Sequence, residues 1–373
     1  MFTEKTSYVT TGTGGGIWRS EIWIKKLMLI FLILTISAAG FCGFFVKWAL
    51  RDDAETFGFT AMIENTAKRP FIHRQLLPVI VKSTVEVIPE DKKEKLSARL
   101  IEKRHIEKRF AQSQIPEKYI LEYYLMVAIC FLSFFAAIWI LRSLLSEILN
   151  DEVAGTLGAM LFALIFPYFE VLGGYYYDIL EILFMFMAAK FALRGKFIAL
   201  LILAPIATWN KESFFFFLAT LYPLTRLHFD EKKSAAITLA SIFFSGLAYL
   251  YVREMFINNP GDAADGRFFE HMEHILEISS YFLTDSIYGV PLPSRMFFLH
   301  IIYVLFIAKI SWQKLSDNWK NHIKIALVIN GILYFMYVVP GELRDLSMLY
   351  ISLMVLTSYF IRDIFLKKYC KGI

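Results

Sequence analysis

Long apolar runs alternate with short polar segments along almost the whole chain. A helix that crosses a membrane needs about 20 mostly apolar residues. The runs near that length occupy 26–48, 119–141, 153–172, 234–256, 296–312, 322–339 and 346–366. Three shorter runs cover 178–193, 197–209 and 213–225. The pattern predicts an all-α polytopic membrane protein with about ten transmembrane or re-entrant helices.

The amino-acid composition agrees with a membrane protein. Hydrophobic residues make up 57% of the 373 residues and charged residues 20%, and the mean hydropathy is +0.51. Soluble domains contain about 45–50% apolar and about 25% charged residues. The net charge of +5 is expected of basic membrane loops, so no nucleic-acid partner is predicted.

The basic residues predict an orientation. Arg19, Lys25 and Lys26 flank the first apolar run, which places residues 1–25 in the cytoplasm as an N-terminal tail. The short external connections are then 173–177, 210–213 and 340–345. We expect residues 1–373 to form a single integral domain of the cytoplasmic (inner) membrane, with both termini in the cytoplasm.

Two long polar inserts interrupt the pattern. Residues 49–118 are expected to form an external loop with amphipathic interface helices at 70–89 and 92–110, because long loops largely escape the charge rule. The alternative that 70–89 crosses the membrane stays open and would reverse the orientation of everything downstream. Residues 257–295 are expected to form a second external loop.

Charged residues lie on the predicted external side, directly against apolar helix ends. Ionisable groups are costly near hydrocarbon, so a functional role is the first hypothesis for them. The candidates are Asp52, Asp53, His73, Arg74, Asp178, Glu181, Lys211, Glu212, Glu342 and Arg344. Structural explanations stay open beside it, since Asp178 could cap a helix and Arg74 could reach lipid headgroups. Lys211 and Glu212 could simply form the turn of a helical hairpin.

A known family has a similar layout. The adjacent acids Asp52 and Asp53, in WALRDDAETF after the first apolar run, resemble the acidic motif of the GT-C superfamily of membrane glycosyltransferases. HRQLLP (73–78), NKES (210–213) and GELRD (341–345) also resemble motifs of its bacterial branch. The resemblance implies transfer of a sugar from a polyprenyl-phosphate carrier to a cell-envelope glycan or lipid on the external face.

The resemblance also implies roles for the candidates. Asp52 or Asp53 would be the catalytic base that takes the proton of the acceptor hydroxyl. The substrate-binding residues would be His73, Arg74, Asp178, Glu181, Lys211, Glu212, Glu342 and Arg344. Their cations would stabilise the leaving phosphate, and their carboxylates would orient those cations or bind sugar hydroxyls, with Glu212 positioned to hold Lys211.

The expected partners are a polyprenyl-phosphate-linked sugar donor, a glycan or lipid acceptor and the lipid bilayer. No His, Asp and Glu residues have metal-ligand spacing, so no cofactor is implied and a divalent metal stays an open alternative. A transporter or flippase of a lipid-linked or anionic solute is the main competing function, because broken helices with charged breaks also build transporter sites. A polysaccharide polymerase or ligase is the second.

Overall fold

The computed structural model of the chain describes residues 15–52, 54–107, 115–261, 266–286 and 291–366. Side chains are described for all of these except 15–22, 103–107 and 365–366. The fold is all-α apart from the short antiparallel pair β1 (Thr284–Asp285) and β2 (Leu292–Pro293). The helices are α1 (Gly15–Trp48), α2 (Phe59–Ile63), α3 (Leu76–Glu86), α4 (Glu90–Glu107), α5 (Ile120–Leu149), α6 (Glu152–Phe169), α7 (Tyr176–Leu193), α8 (Phe197–Asn210), α9 (Ser213–Thr220), α10 (Tyr222–Thr225), α11 (Glu231–Met255), α12 (Phe268–Leu276), α13 (Phe298–Ser311), α14 (Asp317–Tyr337) and α15 (Tyr350–Phe360).

Five helical segments of the described chain are long and apolar enough to cross a membrane. They are Trp23–Trp48, Glu117–Leu149, Glu152–Phe169, Glu231–Met255 and Leu343–Ile364. A polytopic helical membrane protein is therefore supported. The predicted count of about ten spans is not confirmed, because the other apolar helices are shorter or carry more charged residues.

Local sequence signals set the boundaries of the long helices. The Asp151 carboxylate accepts a hydrogen bond from the Ala154 N–H at 2.9 Å and starts α6, and Asp230 does the same for the Lys233 N–H at 3.0 Å in α11. Asn150 ends α5 in the left-handed conformation, with a φ of 50°, which asparagine tolerates better than most residues. The chain therefore reverses sharply between α5 and α6.

Small residues let α6 approach its neighbours closely. A Cβ atom added at Gly40 of α1 would lie 2.1 Å from the Ala163 backbone oxygen of α6. One added at Gly158 of α6 would lie 2.1 Å from the Ser358 Oγ of α15. Helix association in lipid relies on such close backbone packing, so α1, α6 and α15 form a tight frame.

The hairpin of α8 with α9 and α10 defines two ends of the bundle. Lys211, at its turn, contacts Asp178 in the first turn of α7 at 2.9 Å. His228, just beyond α10, contacts the Leu193 carbonyl oxygen at the last residue of α7 at 2.6 Å. The end that carries Asp178 and Lys211 is called the site end below, and the opposite one the basic end.

Arg and Lys side chains at the basic end form ion pairs with acidic residues of neighbouring helices. They are Arg142–Glu152 (3.2 Å), Arg194–Glu147 (2.7 Å) and Lys314–Asp363 (2.8 Å). Arg362 adds a hydrogen bond to the Leu149 carbonyl oxygen at 2.8 Å. These basic residues lie in the connections that the charge rule assigns to one side of the membrane.

The first polar insert contains the two expected helices. The predicted helices at 70–89 and 92–110 correspond to α3 and α4. In α3, Leu77 and Val81 are buried, and the helix packs against α5 and α8. Its 11 residues cover about 16 Å, while the hydrocarbon is about 30 Å thick. Helix α3 by itself is therefore too short to cross the membrane.

The second insert contains a helix that the sequence analysis missed. Helix α12 exposes Phe269 and Leu276 on one side. On its other side His271 is buried and contacts the Val338 carbonyl oxygen at 2.9 Å. An amphipathic helix with a strongly apolar exposed face is typical of a membrane interface.

The close packing of α1 on α6 generates a prediction. Gly40→Ala should lower the melting temperature of the detergent-solubilised protein, because overpacking costs about 1–3 kcal/mol. Gly331→Ala is the matched control, since nothing lies within 4 Å of a Cβ atom at Gly331 in α14. It should leave the melting temperature unchanged or slightly raised. Equal melting of the two variants would contradict the close helix contact.

Candidate functional site

The turn between α8 and α9 places a lysine inside the protein. Lys211 has an extended backbone, with φ −157° and ψ 130°, which ends α8. Its ammonium group lies 2.9 Å from Asp178 Oδ1, 2.8 Å from Glu181 Oε2 and 3.2 Å from Asp345 Oδ1. Only 3% of the lysine side chain is exposed. Lys211 therefore joins α7 to the turn that precedes α15.

Arg344 completes the same cluster from the other side. Its guanidinium contacts Asp178 Oδ2 at 3.0 Å and Glu342 Oε1 at 2.6 Å, and it lies 3.7 Å from Asp345 Oδ2. Asp178 thus bridges Lys211 and Arg344 with its two oxygens. Asp178, Glu181, Lys211, Glu342, Arg344 and Asp345 are called the inner cluster below.

Helix spacing explains why two acids of α7 reach one lysine. Residues three apart lie on the same face of a helix, and Asp178 and Glu181 have this spacing. The Tyr175 N–H also donates to Asp178 Oδ2 at 3.0 Å. Glu181 accepts hydrogen bonds from the Ser213 hydroxyl and, at 3.0 Å, from the Ser347 hydroxyl. Both carboxylates are therefore held in fixed positions.

A second ion pair lies beside the inner cluster. The Arg74 guanidinium contacts the two carboxylate oxygens of Glu212 at 2.6 and 3.2 Å and donates to the Tyr177 hydroxyl at 2.7 Å. Such bidentate pairs are strong and directional. About 30% of the Glu212 side chain is exposed, against 10% for Arg74. The pair therefore faces solvent through its carboxylate.

Two tyrosine rings contact cations of both the pair and the inner cluster. The Tyr175 and Tyr177 rings are stacked, with centroids 5.0 Å apart and planes at 8°. The Arg344 guanidinium lies 4.7 Å from the centroid of Tyr175, and that of Arg74 lies 4.6 Å from Tyr177. The Lys211 ammonium group also lies 5.8 Å from the Tyr177 centroid, so the two rings stabilise cations of both groups.

The inner cluster carries more acid than base. Four carboxylates surround two cations, and every member except Asp345 is nearly inaccessible; Asp345 has 21% of its side chain exposed. Buried charges are stable only when paired and hydrogen-bonded. Glu170 is buried near this cluster, and its Oε2 has no hydrogen-bond partner among the described residues.

In the Arg74–Glu212 pair, the attraction between the two charges shifts both pKa values in the direction opposite to the effect of burial. Burial acts to raise the pKa of the Glu212 carboxyl, but the Arg74 guanidinium outweighs it and the pKa is lowered to about 2. Burial also acts to lower the pKa of Arg74, and the Glu212 carboxylate more than compensates. Glu212 is therefore ionised throughout the physiological range.

Seven of the predicted substrate-binding residues lie in the inner cluster or in the Arg74–Glu212 pair, namely Arg74, Asp178, Glu181, Lys211, Glu212, Glu342 and Arg344. The partner of Glu212 differs from the one that the sequence analysis predicted. Glu212 pairs with Arg74, so the prediction that it holds Lys211 is wrong. The reason is geometric: the extended backbone at Lys211 points adjacent side chains in different directions. Asp345 and Tyr177 belong to the site and were missed as members, although Asp345 lies within the GELRD motif.

Of the two proposed catalytic acids, Asp52 contacts neither the inner cluster nor the Arg74–Glu212 pair through any hydrogen bond that the structure describes. Asp52 accepts hydrogen bonds from the Thr60 N–H at 2.7 Å and the Thr60 hydroxyl at 2.6 Å, which stabilises the start of α2. Asp53 lies outside the described residues. His73 is partly buried, and its Nε2 atom has no hydrogen-bond partner in the described part of the chain.

Within the described ranges, no group of three or more His, Cys, Asp and Glu residues could hold a metal ion. No protein-family model, curated protein or solved structure matches the chain. The geometry of the charged groups therefore carries the functional argument.

Removal of the buried ammonium group should destabilise the protein strongly. Lys211→Met leaves three carboxylates without their shared cation, which typically costs about 3–5 kcal/mol. The matched control is Lys118→Met, because Lys118 and Glu64 form an ion pair with 63% and 37% of their side chains exposed. Such an exposed pair contributes little to stability, so this variant should melt close to the unmodified protein. Thermal melting in detergent measures both, and similar losses would contradict the structural role of Lys211.

The Arg74–Glu212 pair predicts a pH dependence. Because the pKa of Glu212 is lowered from 4.5 to about 2, the ionised carboxylate stabilises the folded state above pH 4.5 and loses this effect as the pH falls toward 2. Glu212→Gln should therefore lower the melting temperature at pH 7, and its difference from the unmodified protein should narrow below pH 4.5. Glu152→Gln, at an exposed pair, should show a small difference throughout. A Glu212→Gln difference that is constant with pH would refute the assignment.

Proposed function

We propose that the protein is a membrane glycosyltransferase of the GT-C type. In this proposal it moves a sugar from a polyprenyl-phosphate carrier to a cell-envelope glycan or lipid. The observation that supports the proposal most is the convergence at the site end of Arg74, the start of α7, the Lys211 turn and the Arg344 turn. These segments lie far apart in the sequence, yet they form one polar centre at the ends of apolar helices.

The chemistry of the transfer matches the two kinds of group in this centre. A carboxylate must accept the proton of the acceptor hydroxyl as the oxocarbenium-like centre develops. Cations must stabilise the departing phosphate. Asp345 and Glu212 are the partly exposed carboxylates of the two charged groups, and they are suited to bind sugar hydroxyls while the buried cations fix their positions.

The roles within the acidic motif follow from the contacts of Asp52. Both of its oxygens accept hydrogen bonds from Thr60, which suits a residue that shapes the loop. We therefore assign the base function to Asp53 and a positioning function to Asp52. Lys211 is enclosed by three carboxylates, so in this proposal it orients those acids and does not itself contact the phosphate.

The membrane arrangement belongs to the same proposal. Each of the ten apolar segments contains helical structure, and we propose that all of them cross or enter the bilayer. The protein would lie in the cytoplasmic (inner) membrane. The site end would face the exterior, and both termini would lie in the cytoplasm. The Arg- and Lys-rich ion pairs at the basic end support this orientation.

One observation favours a second candidate function, the transport of a lipid-linked or anionic solute. The break between α8 and α9 carries Lys211 and Glu212, and transporters build binding sites at such breaks. A transporter would move its solute across a vesicle membrane without changing it. A glycosyltransferase would consume the donor and form a new glycosidic bond.

The catalytic assignment is tested in lipid nanodiscs with polyprenyl-phosphate-linked hexoses and an acceptor extract of the cell envelope. Asp53→Asn should lower transfer by at least about 100-fold, the usual contribution of a general base. Asp52→Asn should retain most activity, because asparagine still accepts the Thr60 N–H. Asp317→Asn, at an exposed position near the basic end, is the control.

Mass spectrometry of donor and product gives the readout. Undiminished transfer by the double variant Asp52→Asn/Asp53→Asn would remove the catalytic assignment. Vesicles that accumulate unchanged donor, with no product formed, would favour the transporter.

A further inference from the structure

We propose that Arg69, His73 and Arg253 form a binding site for the phosphate group of a lipid-linked ligand. Arg69 and Arg253 are absent from the motifs discussed above and lie far apart in the sequence. The three side chains are called the outer basic cluster below. The phosphate chemistry is argued from the cluster itself, whereas its identity as the sugar donor's phosphate rests on the proposed function.

Backbone contacts dock the segment that follows Arg253 against the segment that contains Arg69. The Asn259 side-chain amide donates to the carbonyl oxygens of Asn65 and Ala67 at 2.8 and 3.0 Å. The Arg69 N–H donates to the Pro260 carbonyl oxygen at 2.8 Å. The segment that follows α11 is thereby fixed against the segment that precedes His73.

Gly261 is required for this contact. Its φ is +103°, a conformation that favours glycine. A Cβ atom there would lie 2.6 Å from the Arg69 carbonyl oxygen. Arg253 lies in the last turn of α11, just before the docked segment, and the charges of Arg253 and Arg69 both act on His73.

The cluster has unused hydrogen-bonding capacity. The Arg69 Nε and the His73 Nε2 are shielded from solvent and have no hydrogen-bond partner in the described ranges. Within those ranges no ion pair involves Arg69 or Arg253. Buried polar atoms without partners are costly. A phosphate oxygen could accept a hydrogen bond from the Arg69 Nε–H and, in the tautomer that carries the proton on Nε2, from His73.

The charge balance of this region selects an anion. The charged groups that act on His73 are Glu212, Arg74, Arg253 and Arg69. Glu212 is the one carboxylate among these groups, and Arg74 already engages it through two contacts, so this set holds no further carboxylate for Arg69 and Arg253. Burial, with the arginines, lowers the pKa of His73. A bound anion would oppose this shift.

The inner cluster is the opposite case, because its four carboxylates outnumber its two cations. An anionic group should therefore avoid the inner cluster and bind the outer one. This separation leaves the acidic side for hydroxyl groups and the basic side for phosphate.

The position of Arg253 favours a lipid over a free phosphate. It lies at the site end of α11, within the candidate membrane span Glu231–Met255. The preceding turns expose Leu247, Leu250 and Tyr251. A lipid could thus place its phosphate at Arg253 while its chain lies along the exposed apolar surface of α11.

Binding of farnesyl phosphate to the full chain in detergent tests the proposal. Farnesol and inorganic phosphate are measured in parallel by microscale thermophoresis. We expect farnesyl phosphate to bind, and Arg69→Gln/Arg253→Gln to weaken it by about tenfold or more, since each charge-assisted hydrogen bond contributes substantially. Arg226→Gln, at an exposed pair near the basic end, should leave the affinity unchanged. Arg253→Gln alone, at an exposed position, serves if the double variant does not fold.

Each remaining outcome decides against the proposal or refines the ligand's source. Equal weakening by Arg226→Gln, no effect of the arginine substitutions, or no binding of farnesyl phosphate would overturn it. Inorganic phosphate that binds as tightly as farnesyl phosphate would overturn the lipid assignment. Because the readout is binding, loss of sugar transfer with phosphate binding intact would count against the proposed function alone.

Discussion

The site end depends on the burial of a single ammonium group. Lys211 is almost fully enclosed and is contacted by carboxylates from α7 and from the turn that precedes α15. Removal of such a charge from water costs several kcal/mol unless its partners are in place. The α8–α9 turn, the start of α7 and the Arg344 turn must therefore assemble together, and none can shift without leaving a buried charge unpaired.

Closely packed helices surround this interaction and fix the positions of its charged groups. Glycine contacts let α1, α6 and α15 approach closely, and α7 packs against α5 and α8. The charged groups are mounted on helix ends and short turns of this frame. Sites on rigid elements hold their geometry better than sites on long loops, so the relative positions of Asp178 and Arg344 are set by the packing of the whole bundle.

The distribution of charge divides the site end into two zones. The stacked rings of Tyr175 and Tyr177 contact cations of both zones, with Arg344 beside Tyr175 and Arg74 beside Tyr177. The inner zone has an excess of carboxylates, and the outer zone has an excess of cationic side chains. A ligand with both hydroxyl and phosphate groups could match the two zones at once, which is the physical basis of the proposed transfer from a lipid-linked sugar.

The sequence by itself determined the helical architecture, because hydrophobic runs and helix spacing are local properties. Each apolar run contains helix, and the spacing of Asp178 and Glu181 placed both acids on one face. The grouping of Asp178, Lys211 and Arg344 at one end also followed from counting the runs.

Only the tertiary structure decided which charges pair. Glu212 lies next to Lys211 in sequence but pairs with Arg74, and the Asp52 carboxylate accepts hydrogen bonds from Thr60. Arg69 packs against Gly261, which lies far from it in the sequence. Pairing depends on how helices rotate and dock against one another, and no local pattern encodes those rotations. The same docking removes Lys211 from water, so its burial is a consequence of the assembled bundle.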